Sequence, residues 1–113
     1  MSSAITTHVL DTALGRPAAG VSVRLEQRAE AGHWLVLGEG TTDADGRIRE
    51  IGPAHVPAGS YRFTFDTGGY FAAGGRETFF PEVTVTFSVT DPDSHYHVPI
   101  LLSPFSLSTY RGS

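Results

Sequence analysis

Val83-Thr84-Val85-Thr86-Phe87-Ser88-Val89 alternates apolar and hydroxyl-bearing residues without a break. Successive side chains of an extended chain point to opposite faces, so this run puts Val83, Val85, Phe87 and Val89 on one side and Thr84, Thr86 and Ser88 on the other. The residues are β-branched or aromatic, as a half-buried strand requires. Working outward, the same period of two returns. Tyr61, Phe63 and Phe65 alternate with Arg62 and Thr64, and Val21, Val23 and Leu25 alternate with Ser22, Arg24 and Glu26. Tyr96, Val98, Ile100 and Leu102 share one face of a further strand, with His95, His97, Pro99 and Leu101 on the other. Residues 6–10 and 105–110 read as a first and a last strand, and Trp34-Leu35-Val36-Leu37 as a short apolar run ended by Gly38.

Turn chemistry separates these runs at Gly15-Arg16-Pro17, Asp43-Ala44-Asp45-Gly46, Pro57-Ala58-Gly59-Ser60 and Asp91-Pro92-Asp93. No long stretch shows the 3.6-residue period. One short helix fits near residues 69–73, although its glycines weaken it. About eight short strands at this spacing predict an all-β sandwich. The 113 residues suffice for one modest core, so a single domain over residues 1–113 is expected.

Composition excludes several chemistries. There is no Cys, hence no disulfide scaffold, thiolate metal site or cysteine nucleophile. All 8 basic residues are Arg. Without Lys, neither Schiff-base chemistry nor a Walker-type phosphate loop is possible. A net charge of −4 with scattered Arg residues argues against nucleic acid as a partner. No apolar run of about 18 residues is present to span a membrane. The first ten residues lack the basic and apolar regions of a secretory leader, and a cytoplasmic protein is expected. The strand at residues 96–102 is apolar on both faces. A sandwich leaves one face of each sheet outside, so Pro99 and Leu101 predict cover by another subunit.

Five His are available for chemistry: His8, His33, His55, His95 and His97. His95 and His97, two apart on a strand, share a face. That spacing suits zinc binding with a third ligand such as His8, shared acid–base work, or plain surface and interface positions. His8 shares its strand face with Leu10, which equally fits an ordinary edge-strand hydrogen bond. Arg47 and Arg49 share a face if extended, as would a solvated strand after the Asp45-Gly46 turn. By itself Ser113 is a mobile chain-end hydroxyl.

Longer motifs change this balance. His95-Tyr96-His97-Val98-Pro99-Ile100-Leu101-Leu102-Ser103-Pro104, followed by Ser108-Thr109-Tyr110-Arg111-Gly112-Ser113, resembles the transthyretin-related 5-hydroxyisourate hydrolase family. So do His8-Val9-Leu10-Asp11-Thr12, Gly15-Arg16-Pro17-Ala18, Thr42-Asp43-Ala44-Asp45-Gly46-Arg47 and Phe79-Phe80-Pro81-Glu82, in family order over nearly the whole chain. The resemblance implies a transthyretin-like β-sandwich of two four-stranded sheets with one short helix. It implies a homotetramer with sites in a central channel, and no cofactor or metal. It further implies His8, Arg47, His97 and Ser113 as catalytic residues, with Tyr110, Arg111 and His95 contacting substrate. Arg47 is preferred to Arg49 because it directly follows Asp45-Gly46. Ile100 and Phe105-Ser106-Leu107 depart from the family pattern and bear on substrate fit. The implied reaction is hydrolysis of the small purine 5-hydroxyisourate. Competing readings are a transthyretin-like carrier without catalysis, an adhesive surface module suggested by the N-terminal half, and a zinc hydrolase built on His8, His95 and His97.

Overall fold

The computed structural model describes residues 3–113. Among the described residues nine strands form two sheets. Strands β1 (Ile5–Asp11), β2 (Arg16–Pro17), β3 (Ser22–Arg28), β4 (Trp34–Thr41), β5 (Arg47–Ile48), β6 (Gly59–Phe65), β7 (Val83–Val89), β8 (Tyr96–Leu102) and β9 (Leu107–Thr109) follow in chain order. One sheet runs β4-β3-β6-β7. The other runs β2-β1-β8-β9, with β5 pairing onto β1 as a fifth strand. Two sheets and one short α-helix agree with the sandwich expected from the sequence; the two-residue β5 raises one sheet from the expected four strands to five.

The core lies where the inner faces meet, as alternation demands. Ile5 and Val9 of β1, Val23 and Leu25 of β3, and Tyr61, Phe63 and Phe65 of β6 are buried together with Val98, Ile100 and Leu102 of β8. Phe63 sits at its centre, its ring 5.7 Å from Phe65 and 5.8 Å from Phe87. Helix α1 (Thr67–Ala73) starts two residues before the predicted segment. The Asp66 carboxylate caps it by accepting from the Gly69 amide at 3.0 Å, satisfying an N–H that the helix itself leaves free. Phe71 drops into the core. The Asp11 carboxylate, fully buried, accepts from Tyr70 Oη and Arg76 Nη2, each at 2.6 Å, and from the Leu14 amide at 3.0 Å. Burial pushes this carboxyl up, but these donors together hold it below the usual carboxylate value.

Four sequence readings change. Gly38 does not end its strand: β4 continues to Thr41, and a side chain at Gly38 would strike the Gly52 backbone, 2.6 Å from where its Cβ would stand. The glycine marks a close approach of two backbones. Arg16–Pro17 is paired with β1 rather than left in a turn. The last strand is shorter than residues 105–110; Ser103 and Ser106 close a turn and leave Phe105 outside. Pro99 needs no second subunit to bury it, because the chain's own tail covers it, with Thr109 Oγ1 donating to the Pro99 carbonyl at 2.7 Å. Leu101 stays half-buried.

Candidate active site

The centre of the β1–β8–β5 sheet carries the chemistry. Strand β1 puts Thr7 and Val9 into the core and Thr6, His8 and Leu10 outward. On one side β8 runs parallel, with Thr6 opposite His97 and His8 opposite Pro99. On the other β5 runs antiparallel, with His8 opposite Arg47. Side chains from three strands therefore meet on one outer face, as paired positions on a pleated sheet must.

The Asp43-Ala44-Asp45-Gly46 turn sets Arg47 in place. The Asp43 carboxylate accepts from the Asp45 and Arg47 amides at 2.9 and 3.0 Å. Those bonds, the one to Arg47 foremost, hold its carboxyl below the ordinary value. Gly46 has φ of 76°, and its carbonyl accepts from the Val9 amide at 2.7 Å, tying the turn to β1. The Asp45 carbonyl accepts from His8 Nε2 at 2.8 Å, so that nitrogen carries the proton and Nδ1 of the neutral ring is the basic one. Arg49 is engaged by the turn itself, with Asp45 Oδ2 at 3.3 Å and Asp43 Oδ2 at 3.7 Å. Among the described residues no carboxylate pairs with Arg47.

The tail completes the face. Beyond β9 the Gly112 amide donates to the His97 carbonyl at 2.8 Å, laying residues 110–113 along β8. The resulting cleft, about 440 Å³, is lined by Thr6, His8, Arg47, His95, His97 and Ser113, with Leu10, Pro99, Tyr110 and Gly112 as walls. Six of the seven residues singled out from the sequence meet here. Arg111 does not. Its guanidinium carbon lies over the Tyr96 ring, 4.5 Å from the ring centre.

His97 is half-buried, and its pKa lies below the ordinary histidine value. Burial is the largest cause, followed by the charges of Arg47, His8 and His95. The ring is thus neutral at physiological pH and free to accept a proton. Its Nδ1 lies 2.8 Å from Thr6 Oγ1, and the same hydroxyl is 2.9 Å from His95 Nε2. Sequence reasoning missed Thr6. The signal was its place two residues before His8, which sets both on one strand face. Among the described residues no group of three His, Cys, Asp or Glu side chains is arranged to hold a metal ion. No helix among them is long and apolar enough to cross a membrane.

The fold and site together define a class: a two-sheet β-sandwich with a His–Arg–His cleft on the outer face of one sheet. The model of the HIUase/transthyretin family matches residues 5–112, and the chain belongs to that family. It is 48% identical over 113 residues to 5-hydroxyisourate hydrolase from Salmonella typhi, covering 99% of this chain and 82% of that protein. The structure of Klebsiella pneumoniae 5-hydroxyisourate hydrolase matches with a TM-score of 0.84 at 40% identity, covering all of both chains. Sea bream transthyretin in complex with thyroxine matches with a TM-score of 0.88 at 35% identity, covering 96% of this chain and 93% of that one. Backbone similarity alone thus does not separate a hydrolase from a carrier; the side chains of the cleft must.

Proposed function

We propose that this chain hydrolyses 5-hydroxyisourate to 2-oxo-4-hydroxy-4-carboxy-5-ureidoimidazoline in urate degradation. The carrying observation is that His8, Arg47, His97 and Ser113, from four separate segments, line one cleft. Its volume lies in the range of small-molecule sites. The name of the Salmonella typhi relative supports the same reading.

Hydrolysis of the lactam between N1 and C6 needs a base for water, a cation for the developing oxyanion and a proton for the departing nitrogen. His97, kept neutral, takes the proton from water as oxygen attacks C6. Arg47, with no carboxylate partner among the described residues, turns its donor fork to the oxyanion or the purine oxygens. His8, oriented by the Asp45 carbonyl, is the acid–base partner. Ser113 hydrogen-bonds water or substrate, and Tyr110 and His95 flank the bound purine. Arg111 acts at one remove, by bracing the tail against Tyr96. No cofactor or metal takes part.

Residues 1–113 work as one domain, in the cytoplasm. The subunits assemble as a homotetramer, with a neighbour closing the open side of the cleft over half-buried Leu10 and Leu101 and exposed Tyr110. A carrier of apolar ligands would want apolar walls, whereas titratable and cationic groups line this cleft. The test is the ultraviolet decay of 5-hydroxyisourate, generated from urate by urate oxidase, with and without the protein, in EDTA. Accelerated decay supports a metal-free hydrolase. No acceleration by the folded protein would return the carrier to first place.

A further inference from the structure

Thr6 has no role in the chemistry described so far, yet its hydroxyl touches two of the cleft's imidazoles. It lies 2.8 Å from His97 Nδ1 and 2.9 Å from His95 Nε2. The neighbouring Thr7 shows what an ordinary strand threonine does here: it faces inward and donates to the Val98 carbonyl at 2.7 Å. Thr6 faces the other way and is held directly opposite His97 by the parallel β1–β8 register. Its β-branched side chain is stiff at χ1, so the hydroxyl is fixed between the rings.

A hydroxyl has one proton and two lone pairs. It cannot donate to both imidazoles, so at least one of the two facing ring nitrogens must carry a proton. We propose that Thr6 is a positioning residue that fixes the tautomer of His97, accepting from His97 Nδ1–H while donating to His95 Nε2. The bare nitrogen of His97 is then Nε2. The arrangement resembles in logic the carboxylate that orients a catalytic imidazole, with a neutral hydroxyl as the orienting group. It also gives His95 a defined task. By accepting the Thr6 proton, His95 prevents the hydroxyl from turning round and donating to His97 Nδ1, which would place the His97 proton on Nε2 and block the base. When His97 takes the proton of water, its Nδ1–H bond to Thr6 becomes charge-assisted and shortens, so Thr6 stabilises the charged ring in the transition state.

This inference rests on the reading of His97 as the base, and the experiment separates the two. The full chain is labelled with nitrogen-15 in its histidines. Imidazole nitrogen shifts then give the tautomer of His97 in the native protein, in Thr6→Val and in Thr6→Ser, alongside steady-state turnover of 5-hydroxyisourate. Native His97 is expected to carry its proton on Nδ1. Thr6→Val is nearly isosteric and is expected to shift His97 toward the Nε2–H form. Its kcat should fall about ten- to a hundredfold with KM within about threefold. Thr6→Ser should restore both tautomer and kcat. A native His97 protonated on Nε2 overturns the proposal without any variant being made, as does a folded Thr6→Val with native tautomer and kcat. His97→Gln serves as the reference. If it retains turnover, the reading of His97 as base fails; if it is inactive while Thr6→Val is native-like, only the role of Thr6 fails.

Discussion

The Gly112 amide donates to the His97 carbonyl at 2.8 Å, and a β-carbon on Gly112 would stand 2.6 Å from His97 Cδ2. The tail and the imidazole are thus packed with no room for a side chain between them. Gly112→Ala is expected to push the tail off β8 and displace Ser113. A misplacement of about 1 Å costs on the order of a hundredfold in turnover. Thermal stability should change little, because the tail is a surface segment. Steady-state kinetics with a melting curve checks both halves.

The two neighbouring arginines should separate cleanly. Arg47 faces the cleft without a carboxylate partner among the described residues, whereas Arg49 is spent on Asp43 and Asp45. Arg47→Ala should lower kcat by roughly two to three orders of magnitude, the usual cost of losing an oxyanion donor. Arg49→Ala removes exposed ion pairs, at a residue that borders Arg47 and His97 but does not line the cleft with Ser113, and should leave kcat within about threefold. Equal losses in the two variants would refute the assignment of Arg47.

His97 makes stability depend on pH in a known direction. Its folded pKa lies below the ordinary value of 6.5, from burial first and then from the charges of Arg47, His8 and His95. Between those two values the unfolded chain binds a proton that the folded chain does not, so stability falls as pH drops below 6.5 toward the folded pKa. Melting temperatures recorded across that window should show a slope that His97→Gln reduces. An unchanged slope would mean that other groups set it.

Asp11 ties β1 to α1 through Tyr70 and to the segment after the helix through Arg76. Asp11→Ala leaves the Arg76 guanidinium without its partner and should destabilise the fold by about 3 kcal/mol. For a chain of this size that is a drop of roughly 10 °C or more in Tm. The native carboxyl is depressed below 3.8, so its contribution is full above that value and is lost as pH falls through the folded pKa. Thermal unfolding at pH 7 and at pH 3 checks this: the gap between wild type and variant should narrow in acid.

Half-buried Leu101 tests the assembly. Leu101→Asp places a charge on the outer face of β8, where a neighbouring subunit would have to desolvate it. Light scattering should then report a species smaller than the proposed tetramer, with turnover reduced in parallel. A variant of unchanged mass and activity would show that this face is free.

Alternation carried much of the fold into view. β7 and β8 have the predicted bounds, because each buries every second residue against the core and carries that period in its own composition. β3 shows where local reading stops. Glu26 belongs by alternation to the polar face, yet it is buried: a bulge after Leu25 shifts the register with β4, and Arg62 Nε on β6 meets the carboxylate at 2.8 Å. Leu35 and Val36, apolar in sequence, lie largely exposed on the edge strand β4. Burial there depends on residues tens of positions away.

What the sequence determined by itself is the period of each strand, the turn chemistry between strands, and the residue types capable of the reaction. Those are properties of neighbouring residues and their backbone preferences. What only the tertiary structure decided is which of them meet. The β1–β8 register puts Thr6 beside His97, the Asp43 turn holds Arg47 at the cleft and engages Arg49, and the tail brings Ser113 to the cleft while setting Arg111 against Tyr96. The strand register and the tail join segments far apart in the chain, and the Asp43 turn, itself local, is set against β1 only by the Val9 amide bond to the Gly46 carbonyl, so this geometry exists only once the chain has folded.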